Sequence, residues 1–180
     1  MFRTQEQLKR LAAVSSVIAI AAAEAFAQET APRAARRVVV SIPDRKLAVL
    51  QDDRVLRVFP TAVGAPNSPS PVGQFTIVRR VVDPTWYGKG KVVGPGKNNP
   101  VGTRWIGLSV KGYGIHGTNA PASIGHNVSH GCIRLRNRDV EELFTMVSVG
   151  DAVELHSDRS PELDRIFAPA TVATDDAGGQ

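Results

Sequence analysis

Cysteine is almost absent from this chain, because Cys132 is the only one among 180 residues. A lone cysteine cannot form a disulfide within its own chain, which excludes a disulfide-stapled secreted fold. The paired Cys-x-x-Cys and the His-x-x-Glu-His spacings of zinc sites are also missing. Cys132 is therefore an inert thiol, a link to a second chain, or a residue with chemistry of its own.

Aromatic residues are scarce as well, at 6% of the chain. No segment interleaves aromatic and basic side chains as a nucleic-acid groove does, so we expect no nucleic-acid partner. The hydrophobic content of 42% is ordinary for a globular domain, whose core should consist mainly of aliphatic side chains. The formal net charge of +5 suits an anionic partner without selecting one.

The apolar run at residues 11–23 is too short to cross a bilayer comfortably. It follows a basic segment and precedes Ala25-Phe26-Ala27, which fits a small-x-small cleavage signal. Residues 1–27 are therefore predicted to be a secretory signal peptide, with an uncleaved membrane anchor as the alternative. We expect a protein exported to the periplasm or cell envelope, with no stable membrane anchor after cleavage.

Short apolar segments between turn residues predict a mainly β domain over residues 37–156. Within it, residues 83–104 are rich in Gly, Pro, Asn and Lys and predict a long loop. One α-helix is predicted at 138–147, where apolar residues recur with helical spacing and Asn137 is a suitable N-cap. The flanking segments are a polar lead-in, 28–36, and a polar, partly disordered tail, 157–180, in which "SPELDRIF" (160–167) predicts one or two helical turns.

The segment "YGIHGTNAPASIGHNVSHGCIRL" (113–135) holds three of the four histidines and the cysteine. A thiol becomes a strong nucleophile when a nearby base takes its proton. His116 lies on a separate predicted strand and is favoured as that base, because His130 is too near Cys132 in the chain for an aligned proton transfer. Gly131 indicates a tight turn, whose backbone amides can face a developing oxyanion.

Two other interpretations of this segment stay open. Three histidines, His116, His126 and His130, would form a mixed zinc ligand set with Cys132. Alternatively the thiol is buried and inert, as free cysteines often are, although Ser-His-Gly-Cys is unusually polar and Gly-rich for a core strand.

The same segment resembles the catalytic signature of the L,D-transpeptidases of the YkuD/ErfK type, in which a histidine and a spacer precede Ser/Thr-His-Gly-Cys. The resemblance extends over residues 37–156 and includes "NPVGTRWIGL" (99–108). It implies a mainly β, sandwich-type L,D-transpeptidase catalytic domain with one short α-helix after the catalytic motif.

The resemblance also implies a division of roles. Cys132 is the nucleophile, His116 the general base, and the Gly117 carbonyl orients the imidazole in place of a carboxylate. Backbone amides near Gly131 and Cys132 form the oxyanion hole. Arg134 stands where the stricter signature has Asn, and its planar guanidinium suits a substrate carboxylate. The other expected site residues are His130, which supports the site, and Ser129, which supports it and faces the substrate.

The implied reaction is acyl transfer in peptidoglycan. The thiol forms a thioester with the meso-diaminopimelate of a tetrapeptide stem, D-alanine leaves, and an amine accepts the acyl group. That amine belongs to a second stem, giving a 3–3 crosslink, to a lysine of an outer-membrane lipoprotein, or to a D-amino acid. Carbapenems are expected to acylate Cys132, and no metal or organic cofactor is expected. The alternatives are a cysteine carboxypeptidase or endopeptidase, and a non-catalytic wall-binding module.

Overall fold

The computed structural model describes residues 34–88 and 90–167, and its predominance of strands confirms the mainly β class predicted from the sequence. The predicted signal peptide, most of the lead-in and the end of the tail lie outside the described residues. In the ranges that are described, no helix is long and apolar enough to cross a membrane.

The strands occupy the aliphatic and β-branched segments that turn residues separate in the sequence. In chain order the strands are β1 (Arg36–Ser41), β2 (Lys46–Gln51), β3 (Arg54–Pro60), β4 (Val63–Gly64), β5 (Gly73–Val82), β6 (Trp86–Gly88), β7 (Lys91–Val93), β8 (Arg104–Leu108), β9 (Gly114–His116), β10 (Asn127–Ser129), β11 (Ile133–Arg134) and β12 (Ala152–His156). The helices are a 3-10 turn (Pro121–Ser123), α1 (Asn137–Met146) and α2 (Pro161–Phe167).

Eight of these strands form one mixed sheet in the order β11-β9-β8-β5-β12-β1-β2-β3. The meander β1-β2-β3 is antiparallel. Two pairings are parallel instead, β12 with β1 and β11 with β9. The second of these pairs lies at one end of the sheet and brings the segment after Cys132 beside the strand that ends in His116.

Side chains on the two faces of the sheet pack into two separate clusters. Along β1, Val38 and Val40 join the larger cluster and Val39 joins the smaller one, because successive side chains of a strand point to opposite faces. Helix α1 contributes Val140 and Leu143 to the larger cluster. Helix α2 covers the smaller cluster with Leu163, Ile166 and Phe167.

The helical turns predicted within the tail correspond to α2, whose three apolar side chains are buried against the sheet. Helix α1 begins one residue earlier than predicted, and its N-cap is Arg136, which makes no side-chain capping bond. Asn137 is the first helical residue, so the capping role predicted for it is wrong. Its side chain contacts two loops instead.

The segment 83–104 contains an antiparallel hairpin, β6–β7, which its composition did not predict. Cross-strand partners Tyr87 and Val92 are 74% and 67% exposed, so the hairpin adds little to the core. The fully buried side chain of Asn99 connects the two ends of the hairpin. Its amide nitrogen lies 2.5 Å from the carbonyl oxygen of Pro84, before β6, and 3.2 Å from that of Gly94, after β7.

Candidate active site

His116 is the last residue of β9 and is held from two sides. Its ring stacks on Trp105, which is its cross-strand partner on β8, with the ring centroids 5.5 Å apart and the planes 19° apart. Its Nδ1 lies 2.6 Å from the carbonyl oxygen of Gly117. A carbonyl only accepts hydrogen bonds, so Nδ1 carries the ring proton and Nε2 keeps a lone pair.

Burial makes this imidazole a neutral group. The side chain is 5% exposed. Burial lowers the pKa of His116 to about 4, the Gly117 hydrogen bond opposes this shift, and the positive charge of Arg134 adds to it. At pH 7 the ring is therefore uncharged and able to take up a proton at Nε2.

Cys132 lies next to this histidine through the pairing of β11 with β9. The register puts Arg134 opposite His116 in a parallel ladder. Cys132 comes directly before β11, in the bend that leads into it. The Cys132 sulfur is 3.7 Å from the carbonyl oxygen of Gly112. All three side chains line one cleft of about 900 Å³.

The turn before Cys132 is closed by Ser129. The Ser129 hydroxyl donates to the carbonyl oxygen of Cys132 at 2.6 Å and accepts from the amide of Gly131 at 3.0 Å. Gly131 has φ of 100°, and a Cβ at this position would lie 2.5 Å from the ring of Tyr113. Only glycine fits both the conformation and the space, so this turn fixes where the thiol stands.

Two of the predicted site residues make hydrogen bonds within this turn. The Ser129 hydroxyl, expected to face the substrate, is already engaged within the turn at both its donor and an acceptor position. The Gly131 amide, expected in the oxyanion hole, donates to Ser129. Both residues therefore shape the turn.

Arg134 is half-buried in the wall of the cleft. Its Nε is buried and has no hydrogen-bond partner in the described part of the chain. Burial lowers the pKa of Arg134, but a guanidinium stays cationic at any physiological pH. The cleft thus has a positive charge in its wall, beside the thiol.

The structure brings together five of the seven predicted site residues at the cleft surface, namely His116, Ser129, His130, Cys132 and Arg134. The other two, Gly117 and Gly131, are buried behind them. The sequence did not single out Trp105 as the stacking partner of His116, although both lie on predicted neighbouring strands. Nor did it reveal the rim that the hairpin forms, to which Trp86 and Tyr87 contribute.

His126 does not join the site. It is exposed on the spacer between His116 and Cys132, as is its neighbour Asn127. Within residues 34–88 and 90–167, no group of three or more His, Cys, Asp or Glu side chains is arranged to hold a metal ion. The zinc interpretation therefore has no ligand cluster in this part of the chain.

The thiol at rest is expected to be protonated. Burial raises the pKa of Cys132, against smaller opposing effects of a backbone hydrogen bond at Gly114 and the charge of Arg134. A raised pKa reduces the thiolate fraction at every pH below it. Alkylation by iodoacetamide should accordingly be slow at pH 7 and rise about tenfold per pH unit up to pH 9. A fast rate that is constant from pH 5 to pH 8 would instead indicate a preformed thiolate–imidazolium pair.

Sequence comparisons connect this geometry to a known family. The family of L,D-transpeptidase catalytic domains, designated YkuD, matches residues 35–155. The chain is 39% identical to YqjB of Bacillus subtilis over 126 residues, which are 67% of this chain and 71% of that protein. It is 40% identical to YkuD of the same organism over 119 residues, 66% of this chain and 65% of that protein. Both relatives carry the name L,D-transpeptidase.

Solved structures of L,D-transpeptidases have a similar fold. An L,D-transpeptidase from Mycobacterium smegmatis superposes with a TM-score of 0.58 at 28% identity, over 68% of this chain and 58% of that one. The L,D-transpeptidase LdtMt1, solved in complex with imipenem, gives 0.58 at 25% identity, over 68% and 59%. The chain thus spans less than two thirds of these structures and of the Bacillus YkuD protein. From residue 35 to residue 155, it belongs to the family of L,D-transpeptidase catalytic domains.

Proposed function

We propose that this protein is an exported peptidoglycan L,D-transpeptidase in which Cys132 is the nucleophile and His116 the general base. The single observation that carries the proposal is the arrangement at the end of β9. A buried imidazole holds its proton on Nδ1 against the Gly117 carbonyl, and it lines the same cleft as the only thiol of the chain.

In the first step the thiol of Cys132 attacks the carbonyl that joins meso-diaminopimelate to the terminal D-alanine of a tetrapeptide stem. The thiol proton moves to Nε2 of His116, and the carbonyl oxygen becomes an oxyanion facing the Cys132 amide. The C–N bond then breaks, and His116 returns the proton to the departing amine of D-alanine. A thioester on Cys132 remains.

In the second step an amine attacks the thioester carbonyl. His116, neutral again, takes the amine proton, and the sulfur leaves and is protonated. A diaminopimelate amine gives a 3–3 crosslink, a lysine links a lipoprotein, and a D-amino acid exchanges the stem terminus. If water takes the place of the amine, the same residues perform carboxypeptidase hydrolysis.

Arg134 is proposed to bind a carboxylate of the donor stem. Its side chain lines the cleft together with Cys132, and a planar guanidinium can hold a carboxylate with two parallel hydrogen bonds. Such a contact would set the position of the scissile carbonyl relative to Cys132, because the two residues line the same cleft only two positions apart in the chain.

Replacing Arg134 by glutamine is expected to raise KM for the tetrapeptide about 10- to 100-fold with a smaller change in kcat, because a charge-assisted hydrogen bond is lost. Arg134→Lys should fall between, since it keeps the charge without the fork. The matched control is Arg138→Gln, which removes the same charge from a side chain that is 81% exposed. A fall in kcat at constant KM would show that Arg134 acts on the thiol or imidazole and not on the donor.

Export is the part of the proposal that rests on sequence alone. The basic segment, the apolar run at residues 11–23 and the Ala25-Phe26-Ala27 site support cleavage after residue 27 and a location in the periplasm or cell envelope. Determining the N-terminal sequence of the protein recovered from the cell envelope tests this. An N-terminus at Gln28 supports export with cleavage, and an intact N-terminus in that fraction favours the membrane anchor.

The function itself is tested by incubating the protein with purified disaccharide-tetrapeptide and identifying the products by mass spectrometry. Release of D-alanine together with a crosslinked dimer is the expected result for transfer. Release of D-alanine that leaves only a tripeptide stem, with neither a dimer nor an exchanged terminus when a D-amino acid is added, would indicate hydrolysis. Tight binding to peptidoglycan without any D-alanine release, unchanged in Cys132→Ala, would favour the wall-binding module.

A further inference from the structure

Asn137 is the point at which three segments of the chain meet. It opens helix α1, and its side-chain oxygen Oδ1 accepts hydrogen bonds from two backbone amides. The amide of Thr118, two residues after His116, lies at 3.1 Å. The amide of Thr103, in the turn before β8, lies at 3.4 Å.

The Thr118 amide belongs to the same peptide group as the Gly117 carbonyl. No peptide bond in the described ranges is cis, and in a planar trans peptide the N–H and the C=O point in opposite directions. Asn137 holds the N–H end of this group at 3.1 Å, so the oxygen end must point away from Asn137. That oxygen is the one that lies 2.6 Å from Nδ1 of His116.

Two glycines make this contact possible. A Cβ at Gly117 would lie 2.2 Å from the Asn137 oxygen, and a Cβ at Gly102 would lie 2.1 Å from it. Any other residue at these positions would displace the amide group. Both loops therefore pack closely against the Asn137 side chain. A side chain that only capped the helix would not need glycines in two other loops.

We propose that Asn137 is a positioning residue for catalysis: by fixing the Gly117–Thr118 peptide, it keeps the proton of His116 on Nδ1 and leaves Nε2 facing the reaction. This inference rests on the proposed function, in which His116 is the base. The hydrogen-bond series Asn137–peptide–His116 does with neutral groups what a carboxylate does directly in a serine hydrolase triad. Aligned hydrogen bonds also polarise one another, so the peptide dipole adds to the hold on the ring.

The test compares two replacements of similar size in the full chain. Asn137→Leu fills the same space without an acceptor, whereas Asn137→Asp keeps the Oδ1 acceptor. Long-range ¹H–¹⁵N spectra of histidine-labelled protein at pH 7 report which ring nitrogen of His116 is protonated. We expect only the Nδ1–H form in the parent and in Asn137→Asp, and a mixture of both tautomers in Asn137→Leu.

Kinetics supply the second readout. Asn137→Leu is expected to lower kcat for D-alanine release about 10- to 100-fold at nearly constant KM, as is usual for loss of a partner that orients a reacting group. Asn137→Asp should restore most of this loss. The matched control is Asn119→Ala, which removes a different amide hydrogen bond between the same loops, from Asn119 to the carbonyl of Asn98 at 3.0 Å. It should change neither the tautomer nor kcat.

The proposal is overturned if His116 keeps the pure Nδ1–H form in Asn137→Leu. It is also overturned if Asn137→Asp shows the same mixture of tautomers as the leucine variant. If Asn137→Leu does not fold, Asn137→Ala removes the acceptor without adding apolar bulk beside the glycines, and the same criteria apply. The spectra require no substrate. If the parent has no transferase activity but the variants show the expected tautomers, the proposed function is refuted. The role of Asn137 in positioning the His116 ring would still stand.

Discussion

Replacing Cys132 by serine is expected to abolish D-alanine release almost as completely as replacing it by alanine, with a loss of about 10⁴-fold or more. A serine hydroxyl is a far weaker acid than a thiol, and it needs a strong base to become nucleophilic. Burial holds the pKa of His116 to about 4, and its orienting partner is the neutral carbonyl of Gly117, so the imidazole is a weak base. This site can activate a sulfur nucleophile but not an oxygen nucleophile.

The measurement is the rate of D-alanine release from disaccharide-tetrapeptide by the parent, Cys132→Ser and Cys132→Ala. Each substitution alters only the side-chain end of a half-buried residue, so we expect the fold to be kept. Equal thermal unfolding midpoints for the three proteins would establish this. A serine variant within about 100-fold of the parent would contradict the weak-base description of His116.

The second large effect is expected from His116→Gln, which should lower kcat/KM about 10³-fold. Glutamine has a similar size and can still donate to the Gly117 carbonyl, but it cannot take a proton from the thiol or return it to D-alanine. Both half-reactions lose their proton carrier, so the rates of D-alanine release and of dimer formation should fall together.

Two further histidine variants make this result specific. His126→Gln alters an exposed side chain of the spacer and should stay within about twofold of the parent, as is usual for a surface substitution. His130→Gln alters an exposed side chain at the rim of the cleft, two residues before the nucleophile. If His130→Gln lost more activity than His116→Gln, the general base would be His130 and not His116.

Much of the fold could be predicted because local pattern and tertiary structure agree. The strands β1, β2 and β3 are short aliphatic segments between turn residues, and helix α1 buries Val140 and Leu143 at the spacing that predicted it. For helix α2 the sequence indicates helical turns but not their packing, since a segment of seven residues carries little periodicity. Its position depends on an apolar face of the sheet that forms only after distant strands have paired.

The site was predictable in its reacting groups and less so in its supports. Cys132 and His116 stand out because a lone thiol beside a histidine-rich, Gly-rich segment is chemically unusual. The supports depend on pairings between distant segments. Asn137 is a residue type that is common at helix N-caps. Its side chain contacts the loops because Gly102 and Gly117 allow the backbone to come close to it. The Ser129 hydroxyl likewise finds its partners through the geometry of one turn.

The most direct test of the central claim is the intact mass of the protein after rapid acid quenching of its reaction with disaccharide-tetrapeptide. We expect one adduct whose mass equals that of the donor minus D-alanine, mapped by proteolysis to Cys132 and absent from Cys132→Ala. Acid preserves a thioester, and hydroxylamine should remove it. Release of D-alanine by a parent protein that never carries this adduct, or an adduct on any other residue, would contradict the role of Cys132 as the acyl carrier.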